Sequence, residues 1–429
     1  MRKESECGRR SERFYVFIVG VFASILIPVT ASFCQTANSC LDCHSSIDPP
    51  LKVTKEQFAQ DVHEQKGLTC ASCHGGNPSI EDMNAMSPAA GFRGKPTRTA
   101  IPTFCARCHS DPAYMRQFDP KLRTDQLSQY RTSIHGKRLA KGDTKVAVCS
   151  DCHTVHETRP AHDGRSKVYP LNVAATCAHC HADAAYMKEY KIPTDQFAGY
   201  NASVHHADLV QGDLSAPTCS TCHGSHGATP PGVASVELVC ENCHEYQAQL
   251  FDSGPHKAAF AAAGLPGCET CHGNHRIVPP SDHMIGTGPH SFCTNCHTAG
   301  DAGYQAAATI HQQLIRLQQA IANSDDILNR AERSGMEVAE PKQKLTGAQD
   351  DLTKARVSIH SVQVARVNED IDPGLKIAQT SFQAGQQALR ERNYRRKGLG
   401  ISLVIILAVL LGLWSRIRAI DRKRKSGRV

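Results

Sequence analysis

Apolar residues gather into two unbroken runs and one regular stripe, and elsewhere they follow no period. The first run spans Phe14 to Ala31, behind Arg9, Arg10 and Arg13, and small residues lead from it to Gln35. That order predicts a secretory signal peptide over residues 1–34, cut after Ala31 or Cys34, with an uncleaved anchor as the alternative. The second run, Gly398 to Trp414, holds no charged residue and predicts a transmembrane helix over residues 398–415. Arg416, Arg418, Arg422, Lys423, Arg424, Lys425 and Arg428 follow it, against Arg395, Arg396 and Lys397 before it. The excess of positive charge predicts a basic cytoplasmic tail, 416–429, and an extracytoplasmic location for the rest. A buried soluble helix would instead have to hide Ile405 to Leu411 and then run straight into that tail.

The stripe lies between these runs. Ile310, Leu314, Leu317, Ile321, Leu328 and Ala331 are spaced as an a/d seam, and Leu345, Ala348, Leu352, Ala355, Ile359 and Val362 repeat it. Ser334-Gly335 ends the first helix and Pro341 suits the first turn of the second. Asp372-Pro373-Gly374 is expected to break the pattern, with a third helix running on into the membrane. Residues 301–397 thus read as an α-helical hairpin stalk, a spacer or a seam for homo-oligomers.

Residues 35–300 show neither helical nor strand period, but spell Cys-x-x-Cys-His nine times. Such a segment offers two thiols for thioether bonds to haem vinyl groups and an imidazole for the iron. The thioether residues would be Cys40, Cys43, Cys70, Cys73, Cys105, Cys108, Cys149, Cys152, Cys177, Cys180, Cys219, Cys222, Cys240, Cys243, Cys268, Cys271, Cys293 and Cys296. The proximal ligands would be His44, His74, His109, His153, His181, His223, His244, His272 and His297. A zinc array is the competing reading, but zinc ribbons do not require His after every second Cys. Nine covalently bound haem c groups, each with its iron, are therefore expected.

The motifs repeat in pairs. Cys105, Ala113-Tyr114-Met115, Tyr130, Ser133, His135 and Cys149 recur as Cys177, Ala185-Tyr186-Met187, Tyr200, Ser203, His205 and Cys219. Each unit is a dihaem module: a motif, a spacer histidine, a second motif, and a trailing histidine (His156 or His226). A shorter copy runs Cys240, His256, Cys268, His275, and a degenerate one runs Cys40, His63, Cys70, with Asn77 in place of the trailing histidine. Cys293 begins a ninth site alone.

Distal ligands are sought among the other histidines, since neutral imidazole is the usual sixth ligand of a low-spin electron-transfer haem. The candidates are the spacer residues His63, His135, His205 and His256, the trailing residues His156, His226 and His275, and His290, His311 and His360. Of the last two, which flank the predicted hairpin at its base, His311 is the better placed for the ninth haem. Met115 and Met187 read as packing residues.

Composition agrees. The motifs take 18 of 20 cysteines, so no disulfide scaffold is implied, and only 6% of residues are aromatic, as if haems replace part of the core. Basic excess sits at the two ends beside the apolar runs, so it speaks for membrane topology and not for nucleic acid.

On its doubled motifs the chain resembles the multihaem cytochrome c family of anaerobic respiration, over roughly residues 40–300. The expected fold is mainly α with much irregular structure: repeated dihaem modules in a nonahaem domain (35–300), the helical stalk, and the membrane helix. The resemblance implies a cytoplasmic (inner) membrane protein with its haem domain on the periplasmic side. It would pass electrons between a quinol-oxidising membrane subunit and a periplasmic acceptor, with no catalytic residue of its own. A reductase or oxidase of a small nitrogen or sulfur compound at one open haem, with Tyr130 or Tyr200 handling protons, is the alternative. The Cys-x-x-Cys-Lys typical of ammonia-forming nitrite reductases does not occur here.

Overall fold

The computed structural model describes residues 38–228 and 237–427, and every regular element among them is helical. The expected signal peptide lies outside the described residues. One unit takes in the described part of Met1–Thr54 together with Thr69–Gly94; the other takes Lys55–Leu68 and Lys95–Val429.

Before residue 300 the helices are short, because each motif supplies about one turn and then stops. The second motifs of the modules show how. In Cys70–His74 and Cys219–His223 the third residue caps its own helix, Ser72 Oγ accepting from Thr69 N–H and Thr221 Oγ1 from Thr218 N–H. Asp151 does the same for Val148 N–H in Cys149–His153, and Arg98 holds its carboxylate in a two-pronged ion pair. The chain then reverses at a positive φ one residue past the histidine, at Gly75, Thr154, Gly224 and Gly273. At Gly75 glycine is obligatory: φ is +70° and a Cβ would sit 2.1 Å from the Gly91 carbonyl oxygen.

Beyond residue 300 the picture changes to a three-helix bundle of Ala302–Arg333, Ala339–Ser358 and Val364–Ser426. The two predicted seams are its core. Ile310, Leu314, Leu317, Leu328, Ala331, Leu345, Ala348 and Ala355 are all nearly or wholly buried. The expected break at Asp372-Pro373-Gly374 does not occur: the third helix passes through Pro373 without interruption. Its seam, Val367, Ile371, Gly374, Ala378, Ser381, Gly385 and Ala388, is a heptad stripe buried against the other two helices. A proline inside a helix costs about 3 kcal/mol, and seven buried positions on one face outweigh that. The turn comes earlier, at Ile359–Ser361, with Val362 at φ +48°. The stalk is thus a three-helix bundle, and its seam is covered within the chain.

The third helix continues to Ser426, and residues 398–415 on it are exposed throughout. Its best 18-residue window has mean hydropathy 2.4, long and apolar enough to cross a membrane. Arg418 stacks on Trp414, 4.0 Å from the ring centre, at the start of the basic tail.

Candidate functional site

Among the described residues, pairs of histidine rings face one another across gaps of similar width, and seven of them carry the argument. The pairs are His63–His109, His135–His181, His153–His226, His205–His244, His223–His275, His256–His297 and His272–His360. Their ring centres are 5.9 to 6.3 Å apart. An imidazole nitrogen binds a metal at about 2.0–2.1 Å and lies roughly 1.1 Å from its ring centre, so two rings sharing one ion stand about 6.2 Å apart. The gaps therefore fit an iron with two axial imidazoles. Each pair joins one motif histidine to one histidine outside the motifs, the composition such a site needs.

The hydrogen bonds at Nδ1 orient several of these rings. His63 Nδ1 lies 2.8 Å from Asp61 Oδ1, His297 Nδ1 3.1 Å from Asp301 Oδ1, and His360 Nδ1 2.8 Å from the Val357 carbonyl. His44 and His74 hold the carbonyls of Leu51 at 2.9 Å and Gly94 at 3.1 Å in the same way. Anchoring Nδ1 fixes the tautomer and leaves Nε2 for the metal. Burial pushes the pKa of His109, His135, His153, His181, His226, His272 and His360 down, which keeps the rings neutral, as ligands must be.

No pair lies within one module. Each spacer histidine faces the first motif of the following module: His63 meets His109, His135 meets His181, His205 meets His244, and His256 meets His297. Each paired trailing histidine faces the second motif of the preceding module: His226 meets His153 and His275 meets His223. The backbone enforces this interlock. The residue before each of the first three spacer histidines donates its N–H to a carbonyl two residues past a trailing one, Val62 to Thr158, Ile134 to Ala228 and Val204 to Ile277. Ser133 and Ser203 cap the spacer helices Ile134–Ala140 and Val204–Val210 from buried positions.

At the end of the array the stalk takes the part of a further module. His360 stands where a trailing histidine would, opposite His272, and the turn Ile359–Ser361 packs on Glu245–Ser253. Gly254 lies so close to the Ser361 carbonyl that a Cβ there would be 2.5 Å away. Arg356 clamps Asp282 by donating from Nε and Nη2, tying the second stalk helix to the loop before the ninth motif.

Other expected residues fall elsewhere. The ring facing His297 is His256, not His311: His311 packs under Gly286 on the first stalk helix, with Nε2 buried and without a hydrogen-bond partner. His290 is exposed. His156 sits at φ +59° in the loop after His153 whose Thr158 holds Val62 and Asp61. Tyr130 and Tyr200 donate their hydroxyls to the carbonyls of Ala147 and Pro217, and burial pushes each pKa up to about 12. They brace the segments leading into Cys149 and Cys219 and are not poised to move protons. Met115 and Met187 are buried packing residues. Sequence reasoning missed Asp61, buried beneath His63; the short spacing Asp-x-His was its signal.

The thiols of successive motifs also adjoin. Cys105 hydrogen-bonds Cys149 and Cys177 hydrogen-bonds Cys219, and Cys40 with Cys70, Cys152 with Cys180, Cys222 with Cys240, and Cys271 with Cys293 lie within electrostatic reach.

Comparison with known proteins agrees with this geometry. The sequence profile of the Cytochrome c3 family matches residues 62–182. The chain is 23% identical over 194 residues to the C-type polyheme cytochrome OmcC of Geobacter sulfurreducens, an alignment covering 44% of this chain and 20% of that one. The chain thus spans about a fifth of that relative's length. No solved structure matches. The chain is thus similar to multihaem c-type cytochromes, and to the Cytochrome c3 family over residues 62–182, and it carries an exposed apolar helix long enough to cross a membrane.

Proposed function

We propose that the chain carries nine haem c groups in a file and conducts electrons along it on the extracytoplasmic side of the cytoplasmic membrane. The observation that carries this reading is the set of seven imidazole pairs spaced for iron. In each pair the motif histidine would be the proximal ligand and the other the distal one. Two-imidazole ligation leaves no coordination site for substrate at these seven positions, and it suits a carrier in which the cofactors do the redox chemistry.

Adjoining thiols within and between modules favour haems ordered as their motifs are along the chain. Residues 35–300 form the haem domain, 301–397 the stalk, and 398–415 the anchor, with the tail 416–429 in the cytoplasm. The ninth and eighth haems, held by His256 and His360 beside the bundle, are then the membrane-proximal end in sequence. They are the natural point of exchange with a quinol-oxidising membrane subunit, and the other end serves a periplasmic acceptor.

The test uses full-length protein extracted from membranes. Mass spectrometry should give nine haems per chain, reductive titration should take nine electrons, and low-temperature EPR should count at least seven low-spin ferric haems. Fewer than seven low-spin haems in fully loaded protein would refute the pairing.

A further inference from the structure

The contacts within the stalk give it a direction. Its first helix, Ala302–Arg333, starts against the ninth motif: an ideal Cβ on Gly303 would lie 2.1 Å from His297 Cε1. Along this helix Leu317 packs on Gly374, Ser324 bonds the Ala378 carbonyl at 2.7 Å, and Ile327 packs on Gly385. At its end Ser334 Oγ accepts from Arg392 Nη1 at 2.9 Å. Both sets of numbers rise together, so the first and third helices run parallel. The second helix runs back between them: Asp351 packs on Gly374, Gly347 on Ile377, and the Pro341 carbonyl accepts from Ser381 at 3.2 Å. The hairpin tip at Ser334-Gly335 therefore lies beside Arg392, shortly before the apolar span that begins at Gly398. His297 and His360 lie at the opposite end of the bundle.

The third helix begins at Val364 and runs uninterrupted through Gly398, a length of about 51 Å at 1.5 Å per residue. A tilt of about 20° from the bilayer normal would lower that only to roughly 48 Å. The bundle is packed over most of this length, its buried core reaching from Ile310 at the base to Ala331 and Ala388 near the tip. Residues 301–429 contain no cysteine to attach a haem, and their histidines, His311 and His360, belong to the base half of the bundle. Electron tunnelling through protein falls off exponentially with distance, and a gap of that size is too wide for a single step.

We propose that the stalk is a stand-off strut. It holds the eighth and ninth haems about 50 Å from the membrane surface, where they exchange electrons with a redox protein whose own cofactor stands at that height. Quinol inside the bilayer does not reach them. This rests on the haem and anchor readings above and specifies the partner: a quinol-oxidising subunit serves this end only through a redox domain that rises clear of the membrane. Each exchange passes one electron, the partner's cofactor being oxidised as one ferric haem becomes ferrous, and no bond is made or broken.

Cryo-electron microscopy of full-length protein in lipid nanodiscs tests the height directly. The irons between His256 and His297 and between His272 and His360 should lie about 50 Å from the headgroup plane. Irons at less than half that height would overturn the proposal, because the strut would then lie along the membrane. A helical insertion of one heptad after Asn393, outside the packed bundle, should raise both irons by about 10 Å, and an unchanged height would also overturn it. In liposomes a tail-less, water-soluble quinol should reduce the haems many times faster than a quinol with the same ring and a long isoprenoid tail. Equal rates with the two quinols would overturn the proposal as well. Protein with fewer than nine haems, or protein that does not enter the nanodisc, would count instead against the haem or the anchor reading.

Discussion

Asp61 offers a way to move the potential of one chosen haem. Its carboxylate is buried, with Oδ1 accepting from the backbone and ring N–H of His63 at 2.8 Å each and Oδ2 from Thr158 N–H at 2.8 Å. Burial alone would raise its pKa, but the bonds from His63 and from the Thr158 and His63 backbones outweigh it, so the group stays ionised near neutral pH. The iron position between His63 and His109 is half of 5.9 Å from the His63 ring centre. Adding the bond to Nδ1 and the ring radius puts the charge roughly 7 Å from the iron, worth about 2 kcal/mol at an effective dielectric constant of 20. For a one-electron couple that is about 100 mV. A negative charge favours the ferric state, so Asp61→Asn should raise one haem potential by up to that amount and leave the others in place. Asn still caps the helix, although its amide nitrogen would meet the Thr158 N–H. Asp301→Asn, on the half-exposed carboxylate beside His297, should shift its haem less, because solvent screens it. Spectroelectrochemical titration of the three proteins reads both shifts. If Asp61→Asn, folded and fully loaded, leaves all nine potentials within about 20 mV, the carboxylate is not acting on an iron at that distance.

Further predictions follow from single contacts. His360→Ala should convert one haem to high spin while His311→Ala leaves the EPR spectrum unchanged; the opposite result would exchange their roles. The His63–His109 planes cross at 82° whereas those of His153–His226 differ by 10°, so His63→Ala should remove a strongly anisotropic low-spin signal and His226→Ala a rhombic one. Tyr130→Phe should cost about 1 kcal/mol through the lost bond to Ala147. The Tyr130 pKa is raised on folding, so its contribution is present below about pH 10 and lost as pH rises towards 12; thermal melts of wild type should show that extra loss and Tyr130→Phe should not. Gly374→Val would push side-chain atoms into Leu317 and Asp351, already 3.0 and 3.1 Å from an ideal Cβ, and should lower stability by about 1–3 kcal/mol; an unchanged melting temperature would mean the bundle is looser than its contacts imply.

What the sequence made legible was whatever repeats with a chemical or apolar signature. The motifs, the spacer and trailing histidines and the first two seams all stood out because each position carries a distinctive residue. The third seam did not, because Gly374, Ala378, Ser381 and Gly385 are small and a search for large apolar residues passes over them. Ser324 hid the continuity of the first seam in the same way: it is buried and donates its hydroxyl to the Ala378 carbonyl at 2.7 Å. Pro373 looked like a break because local propensity favours one, and packing on both sides of Gly374 overrode it.

The ligand pairing was hidden for a different reason. Reading a module as a closed unit assigns each histidine to the nearest motif, whereas the fold passes every spacer histidine forward and the paired trailing ones backward. An array built that way cannot be cut between modules without leaving irons short of a ligand on both sides. At its C-terminal end the stalk closes the array by supplying His360 opposite His272, so the helical bundle takes the place that a further module would hold.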